Sequence, residues 1–255
     1  MRTANMSVVM AVLNGERFLS NSLQSIASQE TQPKEIVIVN DGSTDGTENI
    51  IAQWRKSLPI ITVKNERNKG MAESLNLGVL KASAPIILRL DADDEWLPLH
   101  VRLMETAFAI NPQAVLVSTR ATYVKAGKEV AASPGLLLND RTIRWRLMWD
   151  NPIVHSAAAF RRAEFLRCGG YEDNSFAADY DLWIRLLAYG SYSFMSQETM
   201  RYHLHESSMS RISKRDSIAK RADIANKAIQ CFSHVNVGIA TTAKIAWKLR
   251  RLMQL

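Results

Sequence analysis

The stretch Ile86-Ile-Leu-Arg89-Leu-Asp91-Ala-Asp93-Asp94-Glu95-Trp96 decides how the chain is read. A run that is apolar apart from Arg89 stops abruptly at Asp91. It follows Pro85 and leaves too little room for a helix, so it reads as a buried strand emerging at the edge of a sheet. Four carboxylates then fall within residues 91–95. They repel one another, and a strand end carrying them is unfavourable unless a cation sits there or some of them face solvent. A lone Asp-x-Asp is commonly a solvated acidic turn, so the rest of the chain has to decide.

Upstream, the pattern alternates. Ser7 to Val12 reads as a first strand, followed by an Asn14-Gly-Glu16 turn. Phe18, Leu19, Leu23, Ile26 and Ala27 recur at helical spacing over Glu16 to Gln29. Gln32-Pro33 reads as a break, and Glu35 to Val39 as a second strand rich in Ile and Val. That strand runs into Asn40-Asp-Gly-Ser-Thr-Asp-Gly-Thr47. A helix marked by Ile50, Ile51 and Trp54 follows, then a strand over Pro59 to Val63. The polar stretch Asn65 to Gly70 leads into a helix with Met71, Leu75, Gly78 and Ala82 on one face. This β-α-β-α-β-α-β order predicts an α/β fold with a mostly parallel sheet and helices on both faces. Ligands of such sheets bind beyond the carboxyl ends of the strands, where Asn14, Glu16, Asp41, Asp91 and Asp93 cluster. No G-x-G-x-x-G and no G-x-x-x-x-G-K-[ST] occurs, which argues against dinucleotide oxidoreductases and P-loop enzymes.

Downstream, Pro98 opens a helix with Val101, Met104 and Phe108 on one face, and Ala114 to Ser118 reads as another buried strand. Residues 119–150 look less regular, with a helix over Arg141 to Trp149. Ala157 to Phe160 reads as a short strand, Arg161 to Arg167 as a short helix and Gly169-Gly170-Tyr171 as a turn.

Composition bounds the answer. A chain of 255 residues with 47% hydrophobic content supports one large α/β domain or one domain plus an appendage. Its apolar runs fall short of a membrane span, and no signal peptide is expected ahead of the first strand. Cys168 and Cys231 lack metal-ligand spacing and read as reduced thiols of a cytoplasmic protein. Net charge is +7, but residues 211–255 carry ten Lys/Arg against two Asp, +8 in all, so residues 1–210 sum to −1. The basic balance belongs to the tail and gives the main domain no nucleic-acid partner.

A second carboxylate pair opens the segment Asp179-Tyr-Asp181-Leu-Trp-Ile-Arg185. Asp179 shares a helix face with Leu182, Trp183 and Leu186. An N-cap and a general base aimed into the pocket are equal readings for it on helix physics. Asp181 lies four residues before Arg185, the spacing of an exposed ion pair.

These segments together resemble family 2 glycosyltransferases, which have the GT-A fold. The motifs are Ser7 to Val12, Ile38-Val-Asn-Asp41-Gly-Ser43-Thr-Asp45, Asn68-Lys-Gly70, Leu90-Asp-Ala-Asp-Asp94 and Ala178-Asp-Tyr-Asp-Leu-Trp-Ile-Arg185, in the family's order and spacing. The resemblance covers roughly residues 6–207. Asn151-Pro-Ile-Val-His-Ser156 and Gly169-Gly-Tyr171 resemble bacterial members that build cell-surface polysaccharide or lipopolysaccharide. The resemblance implies a nucleotide-sugar-binding half over 1–118, an acceptor-binding half over 119–210 and a basic helical extension over 211–255. It implies that Asp41 accepts a hydrogen bond from a uracil or thymine imide, and that Ala11, Leu13 and Glu16 lie along the nucleoside. Ser43, Asn68, Gly70 and Ala92 would border the nucleotide, Asp91 the ribose, and His155 and Asp181 the substrates more generally. Asp93 would bind a divalent cation, Mg²⁺ or Mn²⁺, with His205 the better metal candidate of the pair His203 and His205. Asp179 would be the base of an inverting transfer from a UDP- or dTDP-linked sugar to a glycan or lipid-linked acceptor. One departure stands out: Ala178 occupies the place of the family's usual Glu.

That departure keeps a catalytically weak nucleotide-sugar-binding module open as an alternative. A sugar-nucleotide nucleotidyltransferase is disfavoured, because Ala11 to Phe18 lacks a glycine-rich, Lys/Arg-bearing loop. Residues 211–255 read as helical. They are expected either to lie on an anionic membrane surface, on the inner face of the cell membrane, or to pack as a solvated helix on the main domain.

Overall fold

The computed structural model describes residues 2–133, 139–172 and 177–205, together with 224, 226, 227, 231 and 232. The first half follows the expected alternation: β1 (Arg2–Val12), α1 (Leu19–Ala27), β2 (Thr31–Asn40), α2 (Thr47–Trp54), β3 (Ile60–Lys64), α3 (Met71–Lys81) and β4 (Ile86–Arg89). β1 pairs in parallel with both β2 and β4, and β2 with β3. The period of two along these strands sorts side chains onto the two faces. Val9, Val37 and Ile87 enter one apolar layer with α3, while Val8, Ile36, Ile38 and Leu88 enter the other with α1 and α4. All four residues of β4 are buried, as a strand covered on both faces requires.

The second half is mixed rather than parallel. It runs β5 (Glu95–Trp96), α4 (His100–Ile110), β6 (Ala114–Lys125), β7 (Lys128–Ala132), α5 (Asp140–Leu147), a single 3₁₀ turn (His155–Ala157), β8 (Ala158–Arg161), α6 (Arg162–Arg167), α7 (Ala178–Leu186) and β9 (Ser191–Leu204). The sheet order is β3-β2-β1-β4-β8-β6-β9-β5, with β7 pairing on β6. β8 is antiparallel to both β4 and β6, and β9 is parallel to β6. The sheet is therefore continuous, and β6 passes through the 118/119 division without a break.

Several boundaries differ from the sequence reading. β2 begins at Thr31, so Pro33 lies inside it, beside a register shift in β1 between Ala4 and Ser7 that relaxes the pairing there. β6 does not stop at Ser118 but continues to Lys125 and turns through Ala126 and Gly127 into β7. Both turn residues have positive φ, +49° and +76°, as a two-residue hairpin loop of the twisted type needs. The turn lacks the usual Asn-Gly, and the strand carries Arg120, whose guanidinium reaches Glu198 of β9 at 3.0 Å. Those two features hid the hairpin in the sequence. Both cysteines are free thiols.

The expectations for residues 211–255 fall outside the described residues, apart from the five named above. Of these, Ile224 and Phe232 are buried against the apolar layer of α5 and α7. Among the described residues, no helix is long and apolar enough to cross a membrane.

His100 is fully buried, stacks on Trp96 with ring centroids 4.3 Å apart, and meets Thr199 Oγ1 through Nδ1 at 2.7 Å. Burial pushes its pKa from 6.5 down to about 3, so it is neutral in the fold at pH 7. The unfolded chain takes up a proton below about pH 6.5 that the folded state refuses. Stability is therefore full above that pH and falls as pH drops toward 3, by about 1.4 kcal/mol for each pH unit. Melting curves between pH 7 and pH 5 should show a steeper loss of Tm in the wild type than in His100→Gln; parallel losses would remove His100 as the cause.

Candidate active site

The site lies beyond the carboxyl ends of β1, β2 and β4, where the sequence put it. The loops after β1 and β2 are stapled to each other by crossed hydrogen bonds. The Asn14 N–H donates to Ser43 Oγ at 2.9 Å, and the Thr44 N–H to Asn14 Oδ1 at 2.9 Å. The Glu16 N–H donates to Asp45 Oδ2 and the Gly46 N–H to Glu16 Oε2, both at 3.0 Å. Ser43 and Glu16 thus hold the loops in register. Leu13, 45% exposed, projects from this rim, and the partly buried Ala11 lies behind it on β1.

Asp41, only 3% exposed, fixes a third loop. Its Oδ1 accepts from Asn65 Nδ2 at 2.7 Å and from the Lys69 N–H at 2.9 Å, and its Oδ2 accepts from the Gly70 N–H at 2.9 Å. Asn68 Oδ1 shares the Gly70 N–H at 2.9 Å. The carboxylate therefore organises the turn that starts α3.

The acidic strand end is sorted by environment. Asp91 is bound by the guanidinium of Arg89, a side chain 1% exposed that also donates to the carbonyls of Val9 and Leu90. Ser156 Oγ donates to Asp91 Oδ2 at 2.9 Å. Burial by itself would raise the Asp91 pKa, but Arg89, His155 and Ser156 outweigh it and hold the carboxyl below the usual range. Asp93 goes the other way. Burial and the charge of Asp91 raise it, and the hydrogen bond from His205 only partly offsets them. Asp94 is buried, accepts from the His203 N–H at 3.0 Å through Oδ1, and is pushed well up by burial and by Asp93 and Asp91. It is an anchor for β9. Ala92 serves by its backbone, its carbonyl accepting from Ser22 Oγ at 2.7 Å.

His205 Nε2 lies 2.6 Å from Asp93 Oδ2, and its ring stacks on Phe18 at 4.7 Å. The end of β9 is thereby drawn over the loop after β1. His203 faces Glu95 instead, at 3.2 Å. Among the described residues no three His, Cys, Asp or Glu side chains converge as a closed metal cage. The adjacent carboxylate of Asp93 and imidazole of His205 still fit a divalent cation that shares its coordination with a ligand's oxygens, as Mg²⁺ and Mn²⁺ do with diphosphates. Burial first, and then the charge of Asp91, raise the Asp93 pKa.

Asp179 sits in the first turn of α7 and is not its N-cap; that position is Ala177, and no side chain caps the helix. Asp179 Oδ2 accepts from Asn151 Nδ2 at 2.8 Å. Burial, helped by the charge of Asp91, pushes its pKa up to about 6, against the pull of the Tyr180 backbone and Asn151. Ala178, where the family's acidic residue would stand, is 2% exposed and packed into the core. The two aspartates of this segment separate completely. Asp181 was expected in an exposed ion pair and among the substrate contacts. It is instead 9% exposed, held by Arg185 Nε at 2.7 Å and by Lys227 Nζ at 3.0 Å. Those partners take it out of the pocket.

His155 is likewise satisfied. Its Nε2 meets the Tyr171 hydroxyl at 2.7 Å, and burial, reinforced by Arg89, drives its pKa down to about 3. Its 3.8 Å approach to Asp91 is accordingly not an ion pair at neutral pH. The sequence reading did not single out Asn151 and Ser156 as site residues, although the segment Asn151-Pro-Ile-Val-His-Ser156 that carries them signalled the region.

A continuous sheet with carboxylates at its strand ends, facing a half-buried aspartate with a raised pKa, is the kind of arrangement found where α/β enzymes bind their ligands. The comparisons agree. The chain matches the model "Glycosyl transferase family 2" over residues 7–170, and it belongs to that family. It is 28% identical over 188 residues to the amylovoran biosynthesis glycosyltransferase AmsE of Erwinia amylovora, covering 72% of this chain and 70% of that protein. It is 28% identical over 194 residues to the Escherichia coli UDP-Gal:alpha-D-GlcNAc-diphosphoundecaprenol beta-1,3-galactosyltransferase, covering 74% of this chain and 70% of that one. S. aureus TarS 1-349 in complex with UDP-GlcNAc superposes with a TM-score of 0.72 at 19% identity, over 90% of this chain and 66% of that chain, just under two thirds of its length. The mannosyltransferase PcManGT from Pyrobaculum calidifontis, in complex with GDP-Man and Mn2+, gives 0.64 at 20% identity, over 95% of this chain and 74% of that one. The fold is GT-A.

Gly42 tests how tightly the loops after β1 and β2 are built. It has φ +76°, and a Cβ there would lie 2.6 Å from the carbonyl carbon of Arg67. Gly42→Ala should cost about 1–3 kcal/mol through backbone strain and displacement of the turn that Asp41 holds. A thermal melt reads this directly, and an unchanged Tm would mean that the turn yields freely.

Proposed function

We propose that the protein transfers a sugar from a UDP- or dTDP-linked donor to a hydroxyl of a glycan or lipid-linked acceptor in cell-surface polysaccharide synthesis, with inversion at the anomeric carbon. The observation that carries this reading is the meeting of two differently tuned carboxylate centres. Asp93 is paired with His205 at the end of β4, and Asp179, with a pKa near 6, faces the charge of Asp91 from α7. One suits a diphosphate leaving group and the other a hydroxyl nucleophile. The names of the relatives support donor and pathway class: one is a UDP-Gal:alpha-D-GlcNAc-diphosphoundecaprenol galactosyltransferase, another an amylovoran biosynthesis glycosyltransferase.

The chain's own residues act as follows. The stapled loops after β1 and β2, with Leu13 and Ala11 on their inner edge, receive the nucleoside, and Asp41 presents remaining lone pairs to the imide of the base. Asn68 and Gly70 border the nucleotide, and Asp91, fixed by Arg89 and Ser156, faces the ribose. Asp93 and His205 would hold a divalent cation, which when bound supplies Lewis-acid charge for the departing diphosphate. Asp179 takes the proton of the acceptor hydroxyl as its oxygen attacks the anomeric carbon from the face opposite the diphosphate. The C–O bond to the acceptor forms as the bond to the diphosphate breaks, so one displacement inverts the centre. Residues 1–118 serve the donor and 119–210 the acceptor. A peripheral position on the cell membrane through residues 211–255 suits a lipid-linked acceptor.

Calorimetry with a panel of nucleotide-diphospho-sugars, with and without Mn²⁺, tests the donor side. Metal-dependent binding of a uridine or thymidine donor is expected in the wild type and should be lost in Asp93→Ala; identical metal-independent binding by both proteins would reject the cation site. On the acceptor side, Asp179→Asn should keep donor affinity and lose about 10²–10⁴-fold in turnover. Wild-type turnover in that variant would remove Asp179 as the base.

A further inference from the structure

We infer that Asn151 is the positioning residue of the base: it holds the Asp179 carboxylate in its ionised form and fixes its rotation toward the acceptor. The inference rests on the proposed role of Asp179 and adds to it a second group from a different element. Asn151 lies in the segment between α5 and β8, so the contact joins two parts of the chain 28 residues apart.

The amide of Asn151 can point only one way. Its Oδ1 accepts from the Ile153 N–H at 3.1 Å, so its Nδ2 must be the atom that meets Asp179 Oδ2 at 2.8 Å. A donor in that position stabilises the carboxylate over the carboxylic acid. It also occupies Oδ2 and stops the carboxyl group from turning. The backbone bond to Ile153 in turn holds the amide, with Ile153 itself buried in the core beside α7.

The surrounding charges show why such a donor is needed. Asp91 faces Asp179 from the end of β4 and favours its protonated form. Tyr171, from the turn before α7, is neutral and bonded to His155, which is itself neutral. On α7, Asp181 is neutralised by Arg185 and Lys227. Arg89 is committed to Asp91 and to two carbonyls. No cation therefore pairs with Asp179 among these groups, and besides the backbone at the start of α7 it is the amide of Asn151 that donates to it. Without that donor the carboxyl would stay protonated nearer to pH 7 and would be less able to accept a proton.

Asn151→Ala is the telling variant, because it removes the donor without adding a charge; Asn151→Asp, though isosteric, would set a second carboxylate beside Asp179 and raise its midpoint by repulsion alone. The titration of Asp179 can be followed by carboxyl-carbon NMR of aspartate-labelled protein, its signal assigned by its loss in Asp179→Asn. The wild-type midpoint is expected near pH 6, and in Asn151→Ala it should move up by about half a pH unit or more, with Tm and donor binding confirming that the variant is folded. The pH profile of UDP release from UDP-GlcNAc should shift its acidic limb by the same amount while KM for the donor stays constant. An unmoved NMR midpoint in Asn151→Ala would overturn the inference. UDP release by Asp179→Asn equal to wild type would instead overturn the role of Asp179 as base, and the two failures are read from separate measurements.

Discussion

The buried guanidinium of Arg89 is the interaction on which the rest of the site depends. It lies on β4 with 1% of its surface exposed, in the strand that leads into three aspartates. A cation so placed is costly to desolvate unless it is closely paired and hydrogen-bonded. It binds Asp91, and it donates to the carbonyls of Val9 and Leu90, which ties β4 to β1 at the point where both strands emerge. The acidic strand end can then be built into the sheet, because one of its charges is neutralised from within.

From that point the carboxylates acquire different characters, although their side chains are chemically identical. Asp91 is held ionised by Arg89 and Ser156. Asp93 sits further along the same turn, without a permanent cation, and feels Asp91 as a like charge. Asp94 turns inward and anchors β9. Asp179 approaches from the opposite wall, raised by burial but restrained by one amide. Acid–base enzymes commonly obtain distinct roles from identical groups in this way, by giving each its own desolvation and its own neighbours. The charge of Asp91 couples the two walls: it raises both Asp93 and Asp179.

His203 of β9 and His205, just past its end, show the same principle at work on geometry. Being two residues apart, they can lie on one face, towards the acidic turn. His203 meets Glu95, whereas His205, one pleat further on, reaches Asp93 and Phe18. Which of them joins the pocket is decided by where β5 ends its pairing with β9, at Glu95 opposite Arg201 and Trp96 opposite Met200.

The sequence by itself determined the parallel β-α half of the fold, the place of the site at the strand ends, and the family. Those features are written in local periodicity and in motifs a few residues long, such as Leu90-Asp-Ala-Asp-Asp94. It also indicated the pairing of Asp181 with Arg185, because helix spacing is local. Tertiary structure decided the rest. The β6–β7 hairpin was hidden because its turn is Ala126-Gly127 rather than Asn-Gly and its strand carries Arg120, whose partner Glu198 lies far along the chain. The burial of Asp181, the retention of Asp41 by the turn of residues 65–70, and the contact between Asn151 and Asp179 depend on partners far away in sequence. Electrostatics follows the same division. Residue type fixes which groups can carry charge, but burial and distant neighbours fix whether they do, and neither can be read until the chain has folded.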